Sequence, residues 1–343
     1  MSNILGNQLL RNRLSSMIER DHLHHCLLFE GPSGIGKYLI AKWLAKRLFC
    51  DAKTTPEAEK PCLTCWHCNA VEIEDHPDLL LVGLDTTKKK KQISVQQART
   101  LIGQVAVYPR VAKQRIVIID QAQYMTESTS NALLKTFEEP PTETIFILIV
   151  PSSQKMLTTI RSRAQRIRFA PVSSEEIESY LRERGEPVRK DVIAFAQGCP
   201  GKVFRLLEGE YEAWKMSVEL FFSWVRMPLI EMYDDCKERL ASFSSNEAHE
   251  KIDFQNRMLD CMEIVLRDIL VWQSTASVEQ LLLHDYFSIL QKWSERLDYR
   301  TIADLEQVIN QARADQIINV DARMELENLV VQFQQALRFG YIA

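Results

Sequence analysis

Short runs of β-branched and aromatic residues alternate with longer amphipathic stretches through the first half of the chain. Residues 26–30, 79–82, 116–119 and 145–150 are apolar at nearly every position, which predicts strands buried on both faces. Helical spacing follows most of them, as in Ala132, Leu133 and Phe137, which lie between Thr126 and the stop Pro140-Pro141. Strands separated by helices predict an α/β fold with a parallel sheet covered by helices.

The pattern changes near Phe169-Ala170-Pro171. Ser173-Ser174-Glu175-Glu176 opens a short helical stretch that breaks at Gly185-Glu186-Pro187 and Gly198-Cys199-Pro200-Gly201. Farther on, apolar residues recur only at helical spacing, as in Met258, Cys261, Met262, Val265 and Leu266. We therefore expect a sheet domain over 1–170, a small helical unit over 171–209 and an all-helical bundle over 210–343.

Composition adds exclusions. With 46% apolar and 26% charged residues among 343, the chain is neither disordered nor collagenous. Its longest apolar run falls well short of the ~20 residues that span a bilayer. The first residues, Met1-Ser2-Asn3-Ile4-Leu5-Gly6, carry no secretory pattern, so a cytosolic address is expected. The net charge of -4 conceals an asymmetry: 23 basic against 16 acidic residues up to 170, and 19 against 30 thereafter. A basic first half points to a polyanionic partner, and an acidic second half to protein contacts.

Gly31-Pro32-Ser33-Gly34-Ile35-Gly36-Lys37 follows a predicted strand and opens a predicted helix. This is the context a phosphate loop requires: glycines let amides turn toward an anion, the helix dipole favours it and lysine adds a point charge. A glycine-rich turn that binds nothing is the plainer alternative. The next position normally supplies a magnesium-binding hydroxyl and is here Tyr38, whose rigid phenol suits that task poorly, so ATP or ADP binding is expected to be weak or vestigial. Asp120 ends a predicted strand where it could hold a magnesium-bound water, or merely end the strand. Gln121 follows it, and glutamine can orient water but cannot take its proton.

Cys62-Leu63-Thr64-Cys65-Trp66-His67-Cys68 overlaps two Cys-x-x-Cys steps, with Cys50 upstream at the end of the phosphate-loop helix. Four thiolates, Cys50, Cys62, Cys65 and Cys68, satisfy a closed tetrahedral site for structural zinc, with His67 the possible substitute. Cys26, Cys199, Cys236 and Cys261 read as core residues. Lys88-Lys89-Lys90-Lys91 is a solvated loop or a phosphate-tracking element. Arg161, Arg163, Arg166 and Arg168 would share one face if they alternated along a strand.

Three segments together carry a resemblance. The cysteine knuckle after a phosphate loop, the run Asn131-Ala132-Leu133-Leu134-Lys135-Thr136-Phe137-Glu138-Glu139-Pro140-Pro141, and Thr159-Ile160-Arg161-Ser162-Arg163-Ala164-Gln165 resemble the bacterial sliding-clamp loader ATPases of DNA polymerase III, from residue 4 to about 208. The resemblance implies an AAA+ P-loop module, a helical lid and a helical collar that closes a pentameric ring. It also implies that Arg163 is a finger reaching the nucleotide site of an adjacent subunit, although Ala164 stands where that motif usually has cysteine. Tyr38, Gln121 and Cys199-Pro200-Gly201-Lys202 are more similar to the delta-prime branch than to the tau/gamma motor branch. Lys202 lies near the family's second sensor position, where an arginine fork would grip phosphate better. The partners implied are tau/gamma and delta subunits, the sliding clamp through the complex, and primed template DNA, with no membrane. An active tau/gamma-like ATPase and a purely scaffolding subunit are the alternatives.

Overall fold

The computed structural model describes residues 4–52, 56, 60–84, 92–141, 143–243, 248–315 and 321–341. The chain forms two compact units, Met1–Phe204 and Arg205–Ala343. The segment expected to form a lid, 171–209, therefore falls mostly inside the first unit.

Five strands of that unit, β1 (Cys26–Glu30), β2 (Leu79–Val82), β3 (Arg115–Ile119), β4 (Thr144–Val150) and β5 (Gln165–Arg168), make one parallel sheet in the order β2-β3-β4-β1-β5. The helices are α1 (Gln8–Glu19), α2 (Lys37–Phe49), α3 (Trp66–Glu72), α4 (Val95–Val105), α5 (Glu127–Glu138), α6 (Thr158–Arg161), α7 (Ser174–Arg184), α8 (Lys190–Phe195) and α9 (Pro200–Arg205). The α/β expectation holds. Leu27, Phe29, Ile118 and Ile147 pack with Leu14 of α1 and Ile40 and Leu44 of α2. Cys26, Leu28, Val117 and Phe146 pack on the other face with Leu101 of α4 and Leu133 and Phe137 of α5. Cover on both faces is why these strands carry no polar alternation.

The strand β5 escapes the hydrophobic pattern because it is an edge. Only Ile167 is buried, while Arg166 and Arg168 face solvent. This also corrects the expected row of arginines: the three-residue step from Arg163 to Arg166 breaks the period of two, Arg166 and Arg168 are on β5, Arg161 ends α6, and Arg163 sits in the turn between them. Local chemistry sets the helix ends. Thr126 caps α5 by accepting from the Thr129 amide at 3.1 Å, and Ser173 caps α7 by accepting from Glu176 at 3.2 Å. Gly185, with φ 69°, ends α7 in the left-handed region that glycine adopts without strain.

Among the described residues of the second unit the regular structure is helical, its α-helices being α10 (Tyr211–Arg226), α11 (Leu229–Ser242), α12 (Ala248–Thr275), α13 (Phe287–Ser294), α14 (Tyr299–Asp315) and α15 (Ala322–Phe339). Phe221, Phe222, Trp224 and Phe333 are fully buried among them, as are Met258, Cys261 and Met262 of α12. No described helix is long and apolar enough to cross a membrane.

Candidate functional site

The phosphate loop joins the carboxyl end of β1 to α2, the position where open parallel sheets present ligands. Buried Ile35 anchors it, and Gly34 and Gly36 take φ of 79° and 98°, conformations a side chain would strain. Lys37 turns back into the loop: its ammonium donates to the carbonyls of Gly31 and of Pro32, the latter at 2.8 Å. Burial pulls its pKa down to about 8 against the opposing charge of Asp120. Burial also raises the Asp120 carboxyl, while the Gln121 amide at 2.9 Å and Lys37 work the other way. Lysine and aspartate thus remain electrostatic partners at the strand ends. Gly201, at the start of α9, donates its amide to Gly34 O at 2.8 Å, and a Cβ there would stand 3.0 Å from that oxygen. The start of α9 packs directly on the loop. Lys202 directs its ammonium over the Phe195 ring, 5.4 Å from the centroid.

The Tyr38 side chain is engaged by the segment that follows α3, within reach of the Asp120 charge. Its hydroxyl donates to Glu74 Oε1 at 3.0 Å, and burial with the neighbouring carboxylate raises its pKa. Glu74 also pairs with Lys42 at 3.1 Å, and Glu72 pairs with Lys46. The segment closing α3 is therefore latched along the length of α2.

Cys50, which caps the far end of α2, meets Cys62, Cys65 and Cys68 with all four sulfurs within 4.8 Å of one another. Amides point at the sulfurs: Cys62 N to Cys50 Sγ at 3.4 Å, Cys65 N to Cys62 Sγ at 3.3 Å and Cys68 N to Cys65 Sγ at 3.5 Å. Burial raises the Cys62 thiol, but the amides and the Thr64 hydroxyl outweigh it and bring its pKa to about 6. Cys62 and Cys68 sulfurs are 4.0 Å apart, close to the edge of a tetrahedron whose metal–sulfur bonds are ~2.3 Å. The cluster could hold a metal ion with no open position left.

His67 is not part of it. Its Nδ1 lies 2.8 Å from His76 Nε2, and its Nε2 lies 3.7 Å from Asp51. Because His76 Nδ1 accepts from the Asp78 amide at 3.1 Å, His76 must donate through Nε2, which leaves His67 Nδ1 as acceptor and turns its N–H toward Asp51. Burial, followed by the charge of His67, lowers the His76 pKa to about 4 and keeps the His76 ring neutral.

Arg163 lies far from the loop in sequence and outside the strands. Its Nη1 donates to Thr159 O at 2.8 Å, and its Nη2 pairs with the Glu138 carboxylate at the end of α5. Arg166 and Arg168 pair with Glu30 at 3.3 and 3.8 Å, and Glu30 also accepts from the Ser153 amide and hydroxyl at 2.9 Å. The structure thus gathers Gly31, Gly34, Gly36, Lys37 and Asp120 at one end of the sheet, and the four cysteines at the other end of α2. The Tyr38 hydroxyl is bonded to Glu74. The sequence reading missed Glu74, Glu30 and Glu138, all exposed or half-buried carboxylates for which periodicity gives no signal; Glu138 stood inside a quoted motif. The lysine run at 88–91 lies outside the described residues.

Comparison with known proteins adds a lineage. Residues 6–173 match the family described as "DNA polymerase III, delta subunit". DNA polymerase III subunit delta' of Bacillus subtilis is 27% identical over 334 residues, 94% of each chain. DNA polymerase III subunit tau/gamma of Haemophilus influenzae is 31% identical over 180 residues, 52% of this chain but only 25% of that protein. Among solved structures, a gamma subunit-related protein of Thermotoga maritima aligns over 96% of this chain and 99% of its own, with 16% identity and a TM-score of 0.44.

Proposed function

Because this chain belongs to the DNA polymerase III clamp-loader family, we propose that it serves there as a delta-prime-like subunit that helps load the sliding clamp onto primed DNA. In this role it assembles with tau/gamma and delta subunits in the cytoplasm, and its basic first unit faces the polyanion. A nearly full-length match to a delta-prime subunit, against a quarter-length match to a tau/gamma one, supports this branch over the motor.

Tyr38 carries the mechanistic part of the reading. Holding magnesium beside a bound nucleotide would take a small serine or threonine hydroxyl at that position, and here the phenol is engaged with Glu74. With Gln121 after Asp120, water lacks an acceptor for its proton. Lys37 and the loop amides keep a weak affinity for phosphate but do not hydrolyse it. Cys50, Cys62, Cys65 and Cys68 would hold zinc, which fixes the end of α2 and takes no part in chemistry.

Arg163 serves the neighbouring subunit's site. A guanidinium brought to another chain's nucleotide stabilises charge on the transferring phosphoryl group and is worth ~10³ to 10⁵ in rate. The test uses a reconstituted complex whose other ATP sites are silenced. Arg163→Ala is expected to lower turnover at the adjoining site by about 10³ while the complex still assembles. Unchanged turnover would leave only a scaffold. Turnover by the isolated chain, abolished by Lys37→Ala, would establish the motor instead.

A further inference from the structure

The finger is held before any neighbour arrives. Arg163 follows α6, whose Ile160 is fully buried, and its own amide donates to Ile160 O at 3.1 Å. Glu138 is the last residue of α5, fixed from beneath by the fully buried Phe137, whose carbonyl lies 3.0 Å from His25 Nε2. Two anchored helix ends thus present a carboxylate and a guanidinium to each other.

The carboxylate is oddly placed by local rules. The carboxyl end of a helix carries partial negative charge and favours cations, yet α5 ends in Glu138 with Glu139 as its cap. A partner cation offsets that cost, and Arg163 provides it. The guanidinium has five N–H groups in a planar fork. Thr159 O at 2.8 Å, Ser162 Oγ at 3.4 Å and Glu138 engage its two terminal nitrogens. Those contacts define the plane of the fork without consuming all of its donors.

Arg163 and Glu138 side chains are 37% and 42% exposed, so the pair is a surface one, screened by water and salt. Pairs of this kind are worth a factor of only about two to five in an equilibrium. The tether is strong enough to bias the rotamers of a long side chain, and weak enough to give way to phosphate.

We propose that Glu138 is the positioning residue of the finger, holding Arg163 at the α5–α6 corner so that it meets the neighbour's phosphate already ordered. This rests on the finger reading above. Ordering removes an entropic cost that would otherwise fall on the transition state, so Glu138 acts on kcat more than on KM.

The experiment is a double-mutant cycle in the complex used for Arg163→Ala. Glu138→Ala is expected to lower kcat about two- to fivefold with KM for ATP unchanged. That loss should shrink at high salt and vanish when Arg163→Ala is already present. Glu138→Gln, which keeps an acceptor of the same shape, should recover part of the rate. An equal loss with and without Arg163 would make Glu138 merely structural and overturn the proposal. So would full activity or a gain in Glu138→Ala beside a crippled Arg163→Ala. Should Arg163→Ala itself be silent, the finger reading falls and this proposal with it.

Discussion

The two ends of α2 make opposite use of one helix. At its start the phosphate loop has the backbone turn but carries Tyr38 after its lysine, and Lys37 spends its charge on the loop's own carbonyls. At its end, thirteen residues on, Cys50 joins three other cysteines in a complete donor set. Glycines and a strand–helix junction preserve a shape, whereas chemistry depends on residue type at single positions. A phosphate loop's geometry is therefore separable from its reaction, whereas a metal knuckle that lacks one ligand lacks its function outright.

The hardest way to break this contrast is at the knuckle. Cys65→Ser should abolish stoichiometric zinc and cost several kcal/mol of stability, because structural zinc binding is itself folding free energy of ~10 kcal/mol or more in small domains. Metal analysis and denaturant unfolding of the purified chain check both, and intact zinc content would count against four-thiolate ligation. Restoring the loop is the next largest effect. Tyr38→Ser returns a hydroxyl to the magnesium position and frees Glu74, so magnesium-nucleotide should bind roughly tenfold tighter by calorimetry, still without turnover because Gln121 is unchanged. Unaltered affinity would move the obstruction to the Gly34–Gly201 contact.

A smaller effect concerns Lys37. Its folded pKa of about 8 lies below that of the unfolded chain, so between about pH 8 and 10 the unfolded state binds more protons and stability rises with pH. Lys37→Met should flatten that rise and add roughly 1 kcal/mol at pH 7 by removing a buried charge. Parallel pH profiles for the two proteins would contradict it.

Much of this was legible in the chain itself, for identifiable reasons. The three central strands, β1, β3 and β4, are apolar because both faces are covered, and the cysteine spacing specifies a knuckle however the rest folds. The edge strand β5 was not legible, since an edge needs only Ile167 inside and can carry Arg166 and Arg168 outside. His67 looked like a spare ligand because spacing cannot reveal that His76, nine residues on, claims its ring nitrogen. The partnership of Arg163 with Glu138 joins residues twenty-five apart through the meeting of two helix ends, which no local pattern encodes.

The strand order has a consequence in time. Strand β1, made early, pairs with β4 and β5, whose residues begin at Thr144 and Gln165. More than a hundred residues must be synthesised before its first sheet partner exists, and contacts so distant form slowly. All four clustered cysteines lie within the first 68 residues, so on a growing chain the knuckle can take up its ion while the sheet is still open. Time-resolved hydrogen exchange during refolding should protect the amides of α3 before those of β1, and simultaneous protection would refute that sequence of events.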